Sequence, residues 1–498
     1  MTGEPLSILL VAAEVAPFAK TGGLADVAGT LAREMAARSH DVRVVMPRYY
    51  VVNRHRWGLR PAGDPLGVPM GVLGEQGCAV LEGRLPDSPV PVYFLEHEKY
   101  YGRDGLYTTA YGDGYADNDH RFVFLSRAAL QLCRRLAWRP DIIHVNDWHT
   151  AAIPLFLNTL YRQDPLLGEA ATLLTIHNLQ HQGVFHEGLM DVLDVGREHF
   201  HWRELEWFAQ VNLLKGGIYH ATAINTVSEG YRREIMTPGY GHSLDGVLRD
   251  RANDLFAVLN GIDETEWDPR TDPHLPARYS ADDLSGKAVC KEALQQQFRL
   301  PRNPRVPLIG VISRLVWQKG IDILAAAIHR ILALDVQLVL LGTGEPWAHF
   351  YFGDIRAEYP RRFGCGIGFD NAMAHQIEAG ADFFLMPSRF EPCGLNQMYS
   401  MRYGTIPIVR ATGGLDDTVQ NFDEATGHGS GFKFYDLTPD ALFDTIGWAV
   451  HNWYHRREAL RTMRRRIMSL RFSWAESARL YEQIYRLAIE RRTGQHMG

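Results

Sequence analysis

A lysine ahead of two glycines, Lys20-Thr21-Gly22-Gly23, follows the first apolar run of this 498-residue chain. The composition suits phosphate, but the order does not match a Walker-type loop, whose glycines precede the Lys-Ser/Thr pair. A second cationic pair, Arg314 and Lys319, flanks a turn in "SRLVWQKG" before a helical pattern. Two cations near a helix N-terminus suit a diphosphate, although two cations on a loop are also common surface features. In "PSRFEPCGLNQ", Glu391 and Cys393 lie in a Pro/Gly-rich turn ahead of another helical pattern. A carboxylate there could bind sugar hydroxyls or stabilise positive charge at a sugar carbon. It could also simply answer a helix macrodipole. Gly413-Gly414 in "ATGGLDDTV" offers backbone N–H groups at a further helix start.

Further polar residues stand where apolar runs end. Asn146 to His149 ("NDWH") follow 142–145, His177-Asn178 follow 173–176, and Asn260 to Asp263 ("NGID") follow 255–259. Glu14 follows the first run. "GTGEP" after 337–341 lacks the third glycine of a dinucleotide fingerprint, with Trp347 in its place, so a Rossmann dehydrogenase is a weak reading. Asp117-Asn118-Asp119 matches a three-residue D-x-D metal pattern but stands at no clear strand end. A structural or substrate-loop role fits it better, and no metal is expected.

The elements that must hold these residues are short Val/Ile/Leu-rich runs alternating with helical patterns. In the first half they are 8–12, 42–46, 92–95, 142–145, 173–176, 223–227 and 255–259. The pattern restarts with 308–312, 337–341, 382–386 and 406–409. Runs apolar on both faces, alternating with helices, indicate parallel sheets covered on both sides. Such sheets place ligands at the carboxyl ends of their strands. The Pro- and Asp-rich segment 268–285 has no periodicity, and the domain boundary falls near Gly261. The expected domains are 1–261 and 262–472, with a final helix over 473–498 that starts at Ser473 and Glu476, a capping box.

Composition narrows the function classes. The net charge of −6 argues against nucleic acid or an anionic membrane surface as partner. The five cysteines are scattered and form no C-x-x-C pair, which favours a reducing compartment over disulfides or zinc. No stretch approaches the ~20 apolar residues of a membrane helix, and no signal peptide is read, so a cytoplasmic protein is expected.

Taken together, "KTGGLADV", "NDWHT", "TIHNLQHQG", "NTVSEGY", "LNGID", "ISRLVWQKGIDIL", "AGADFFLMPSRFEPCGLNQMYSMRYGTIPIV" and "ATGGLDDT" resemble one family, the bacterial and plant glycogen/starch synthases. The resemblance runs in family order from about residue 8 to about residue 435. It implies the GT-B fold: two doubly wound Rossmann-like α/β domains facing a deep interdomain cleft, with the last helix crossing back to the first domain. It implies a retaining glucosyltransferase that moves glucose from ADP-glucose to the non-reducing 4-OH of an α-1,4-glucan such as glycogen, with no cofactor required. Domain closure around the donor is expected.

By matching position, Lys20, with Gly22 and Gly23, resembles the donor-binding glycine loop. Arg314 and Lys319 resemble the pair that neutralises the departing diphosphate, and preorganised cations can do this without a metal. Glu391 resembles the active-site carboxylate near the glucose, and His177 the histidine beside the transferred sugar. Asn260, Gly413 and Gly414 match donor-side positions. Asp147, Asn178, Tyr115 and Cys393 match sugar or acceptor positions, with packing rather than nucleophilic chemistry expected of Cys393. The loop "YGDGYADNDHRF" is expected to line the cleft. Retention could follow a covalent glycosyl-enzyme or a same-face ion pair. Two other readings stand beside this one: a related GT-B transferase using UDP-glucose, and a non-catalytic glucan- or nucleotide-binding homologue. Thr21 has no assigned role.

Overall fold

The structure is a computed structural model that describes residues 4–109 and 112–494; Tyr111, which opens the loop quoted above, lies outside the described residues. The chain divides into two compact units. One comprises residues 1–227, 232–259 and 474–498; the other comprises 228–231 and 260–473. Asn260 and Gly261 therefore belong to the second unit.

In the first unit a mixed sheet runs, edge to edge, Leu255–Ala257, Ala223–Thr226, Ala171–Ile176, Ile142–Asn146, Ser7–Val11, Asp41–Pro47, Pro91–Glu96, Glu75–Arg84 and Arg60–Pro61. Strands from Leu255–Ala257 through Pro91–Glu96 pair in parallel. The margin beyond is antiparallel. Ile8, Leu9, Leu10 and Val11 are all essentially inaccessible, as a strand covered on both faces requires. From Ser7–Val11 the chain builds the sheet in one direction to Pro91–Glu96. It then returns to build in the other direction from Ile142–Asn146. The crossover point lies between these two central strands, and there the carboxyl ends open a crevice.

The second unit repeats the logic with six parallel strands. Their order is Phe363–Ile367, Gln337–Gly344, Leu308–Leu315, Phe383–Met386, Ile406–Arg410 and Phe432–Phe434. Its crossover falls between Leu308–Leu315 and Phe383–Met386. Leu308, Val339, Ile377, Phe384 and Val409 form part of the core around it. The aperiodic segment after residue 268 is tied into this unit. Asp268 pairs with Arg402 at 3.1 Å, and Asp272 meets His375 Nδ1 at 2.8 Å.

Every apolar run picked from the sequence overlaps a strand. Phe363–Ile367 and Phe432–Phe434 were not expected. The first carries two glycines and the second has only three residues, so neither has the apolar density that marks a buried strand.

The last helix, Trp474–Thr493, packs within the first unit against Ile142–Asn146, Ala171–Ile176 and the helix Gly23–Ala37. A buried chain of hydrogen bonds fastens it. Tyr485 O–H donates to His144 Nδ1 (2.8 Å), His144 Nε2–H to Thr175 Oγ1 (2.6 Å), and Thr175 Oγ1–H to Asn225 Oδ1 (2.5 Å). Asn225 Nδ2 then donates to Tyr481 (3.2 Å). Because Thr175 gives its proton to Asn225, its oxygen must accept from His144, which fixes the tautomer. Burial holds His144 neutral, with its pKa pushed down to about 3.

Candidate active site

At the first crossover, the turn after Ser7–Val11 places Glu14, only 3% exposed, beneath the glycine loop. Its Oε2 accepts from both the backbone N–H and the hydroxyl of Thr21, the latter at 2.9 Å. Burial pushes Glu14 up to about 7 despite these bonds. Lys20 is largely exposed and folds back onto Asp26 in the first turn of Gly23–Ala37, at 2.8 Å. Gly22 has an extended backbone, φ −155°, which any residue adopts. Its value is the space it leaves, since an added Cβ would meet only Glu14 Oε1, at 3.9 Å.

The adjacent strand Ile142–Asn146 ends in Asp147, a left-handed residue with φ 53°. This turn aims its carboxylate at the next loop, where Oδ1 accepts from His177 N (2.7 Å) and Asn178 N (3.4 Å). Asp147 is pushed up to about 7, first by burial. Asn146 Nδ2 donates to Val11 O (3.1 Å), so its Oδ1 must accept from His177 Nε2–H (2.9 Å). His177 is held neutral by burial, down to about 3, with Nδ1 as its acceptor nitrogen. Asn178 Oδ1 accepts from Gln180 N at 3.0 Å, closing the loop on itself. Asp147 Oδ1 thus holds the backbone of the His177 loop.

Tyr115 lines a cavity of about 640 Å³ in the same unit, with Asn118, Trp148, Gln182, Phe185 and Trp207. The D-x-D residues beside it are internally engaged. Asp117 takes a two-pronged bond from Arg103 (2.5 and 2.6 Å), and Asn118 bonds Tyr107 O and Arg121. Ligand-type side chains converge elsewhere in one group among the described residues, His199, Glu204 and His220. Glu204 Oε2 lies 2.6 Å from His199 Nδ1 and 3.1 Å from His220 Nε2. The amide Nδ2 of Asn158, a donor, faces His220 Nδ1 at 3.3 Å, which leaves the proton on Nε2. The group is therefore a hydrogen-bonded clip.

At the second crossover, Lys319 Nζ grips Glu391 at 2.8 Å (Oε1) and 2.6 Å (Oε2), and Ser388 Oγ donates to Oε2 at 3.0 Å. The two residues follow the two central strands, and Gly320 lets them meet. Its φ of 67° and the 1.9 Å that would separate a Cβ from Pro387 O exclude any larger residue. Arg314 is exposed, with Nη2 3.3 Å from Gln318. Gly413, φ 46°, lies so close to the Glu391 carbonyl that a Cβ would come within 2.1 Å. The Gly414 N–H donates to that same carbonyl at 3.0 Å. The Gly414 amide is thus paired within the Glu391 turn. These glycines hold the carboxylate turn in place. Cys393 is buried with its thiol pushed up to about 12, first by burial, while Asn260 approaches the sulfur through backbone and side chain. A thiol so placed is no nucleophile. Asn260 Oδ1 is buried without a hydrogen-bond partner among the described residues.

From the sequence, Glu14 stands at a strand end with no place in the site, and Thr21, Asn146 and Ser388 carry no role. Their signal is positional, a polar residue one to three places past a strand or beside a named one, and their pairing appears only once loops are folded.

Residues 7–250 match the family described as "Starch synthase catalytic domain", and residues 293–466 match "Glycosyl transferases group 1". The chain is 61% identical over 492 residues to "Glycogen synthase 1" of Geobacter metallireducens, covering 99% of this chain and 98% of that one. It is 51% identical to "Glycogen synthase" of an Anaeromyxobacter species, covering 97% and 99%. It also superimposes on the catalytic domain of starch synthase IV from Arabidopsis thaliana, solved with ADP and acarbose, with a TM-score of 0.90 and 33% identity over 98% of this chain and 100% of that one. The two Rossmann-like units are those of the GT-B fold, and the chain belongs to the glycogen and starch synthase family of glucosyltransferases.

Proposed function

We propose that the chain transfers glucose from ADP-glucose to the non-reducing 4-OH of an α-1,4-glucan, with retention and release of ADP. The observation that carries the reading is the Lys319–Glu391 pair at the crossover of the second sheet. Breaking the glucosyl–phosphate bond builds negative charge on the leaving diphosphate and positive charge at the sugar carbon. A fixed cation and a fixed carboxylate, side by side, answer both at once. The Lys319 ammonium has three N–H donors and directs two toward Glu391, which leaves one for phosphate. Arg314 adds a second cation.

In the first unit, Lys20 supplies a charge on a loop, and neutral His177 offers its ring to a sugar hydroxyl. The glucan is proposed to lie in the 640 Å³ cavity, whose aromatic faces and amides suit a carbohydrate. No metal or cofactor is assigned a step. Five free cysteines, all buried, support a reducing, cytoplasmic setting.

The test is glucose transfer to glycogen from ADP-glucose and from UDP-glucose. A preference for ADP-glucose is expected. Preference for UDP-glucose would overturn the donor, and binding of donor and glucan without transfer would favour a non-catalytic role.

A further inference from the structure

The Lys20 loop has two anchors of unequal strength. The side chain of Lys20 rests on Asp26, an ion pair whose partners are 54% and 28% exposed. A pair this exposed is worth about 0–1 kcal/mol and is readily exchanged for another anion. The backbone just after the lysine is held differently. Thr21 gives both its N–H and its hydroxyl proton to one oxygen of Glu14, which is 3% exposed. The Gly22 N–H adds a third interaction with the same carboxyl group. The floor under Glu14 is itself fixed, because Tyr49 O–H donates to Ala13 O at 2.9 Å. The root of the lysine is thus fastened to a buried group, while its tip is loosely parked.

We propose that Thr21, through its hydroxyl bond to Glu14, is a positioning residue for the sugar-nucleotide donor: it fixes the backbone from which Lys20 swings off Asp26 to the donor phosphates. This rests on the reading of Lys20 as a donor contact. An unfastened glycine loop would have to be ordered when the donor binds, and that entropy would weaken affinity. The hydroxyl bond alters how well the donor is held, so its loss falls on KM and not on the chemical step.

The experiment measures KM for ADP-glucose, KM for glycogen and kcat in the full chain. Thr21→Val removes the hydroxyl at nearly constant shape, Thr21→Ser retains it, and Lys20→Ala removes the proposed contact. Thr21 is exposed, so its variants do not disturb the core. Thr21→Val is expected to raise donor KM about 2- to 10-fold, the effect of one hydrogen bond. KM for glycogen and kcat should hold, and Thr21→Ser should restore the wild-type value. Glu14→Gln, which weakens the acceptor, should raise donor KM in the same direction. If Lys20→Ala raises donor KM while Thr21→Val and Thr21→Ser behave alike, the positioning role is overturned and the Lys20 reading stands. If Lys20→Ala leaves donor KM unchanged, both fall.

Discussion

Lys319 and Glu391 lie 72 residues apart in sequence and form a two-pronged contact of 2.6 and 2.8 Å. The contact exists because each residue follows one of the two strands that flank the sheet's crossover. Gly320 removes the side chain that would hold those turns apart, and Gly413 lets the turn after Ile406–Arg410 close on Glu391. Replacing Lys319 by Ala takes away the leaving-group cation and leaves a mostly buried carboxylate unpaired. By analogy with loss of one transition-state donor, the expected loss is about 10²–10³ in kcat, or about 2.7–4 kcal/mol. Steady-state transfer from ADP-glucose to glycogen measures it, with a thermal melt run alongside to separate lost chemistry from lost structure. A folded Lys319→Ala protein with wild-type kcat would refute the assignment.

Tyr485→Phe should loosen the final helix without reshaping it. The substitution leaves His144 Nδ1, on a fully buried ring, with no donor. Stranding a buried acceptor costs about 1–3 kcal/mol, so the urea midpoint should fall with little change in slope. Tyr481→Phe, which loses the 3.2 Å contact from Asn225, should lower the midpoint as well. Equal midpoints for both variants and the parent chain would show that the network carries no stability.

Much of this was open to sequence reading because the chain places polar residues where strands stop. Glu14, Asp147 and His177 follow strands of the first sheet, Lys319 and Glu391 follow strands of the second, and each parallel sheet gathers its own such residues on one rim. What escaped was set by loop geometry. That Gly414 would give its N–H to Glu391 O depends on how two turns nest. That Asp147 would adopt φ 53° and clasp the His177 loop depends on a backbone turn that an aspartate tolerates but does not announce. Thr21 looked idle because its partner, Glu14, is seven residues back on the far side of the turn. The glycine-bearing strand Phe363–Ile367 went unread because its residues lack a continuous apolar run.

Asp147 gives a signed pH prediction. Its carboxyl group has an ordinary value of 3.8 and is pushed up to about 7 in the fold, mainly by burial, with Glu14 adding repulsion. The folded state therefore binds a proton that the unfolded chain has released, and stability falls as pH rises from about 4 through about 7. Asp147→Asn keeps an oxygen for His177 N and Asn178 N but has no charge to bury. Its unfolding free energy, from urea titration, should exceed that of the parent above pH 7, by a few kcal/mol at most, and converge with it near pH 4. A constant difference across that range would mean that Asp147 does not titrate as its surroundings demand.

Asn260 separates binding from folding. Its side chain is 5% exposed and its Oδ1 is buried with no partner among the described residues. An unmet buried carbonyl is a burden of about 1–3 kcal/mol in the free protein, and a donor hydroxyl that reached it would relieve that burden. Asn260→Ala removes that burden together with the amide's approach to Cys393, so the melting temperature of the free protein should not fall. The added stability that ADP-glucose confers should shrink, with affinity lower by about tenfold, or ~1.4 kcal/mol. Melting curves with and without saturating ADP-glucose read both quantities. A variant that melts well below the parent yet gains as much from the donor would make Asn260 a packing residue that supports Cys393 and would remove it from the donor site.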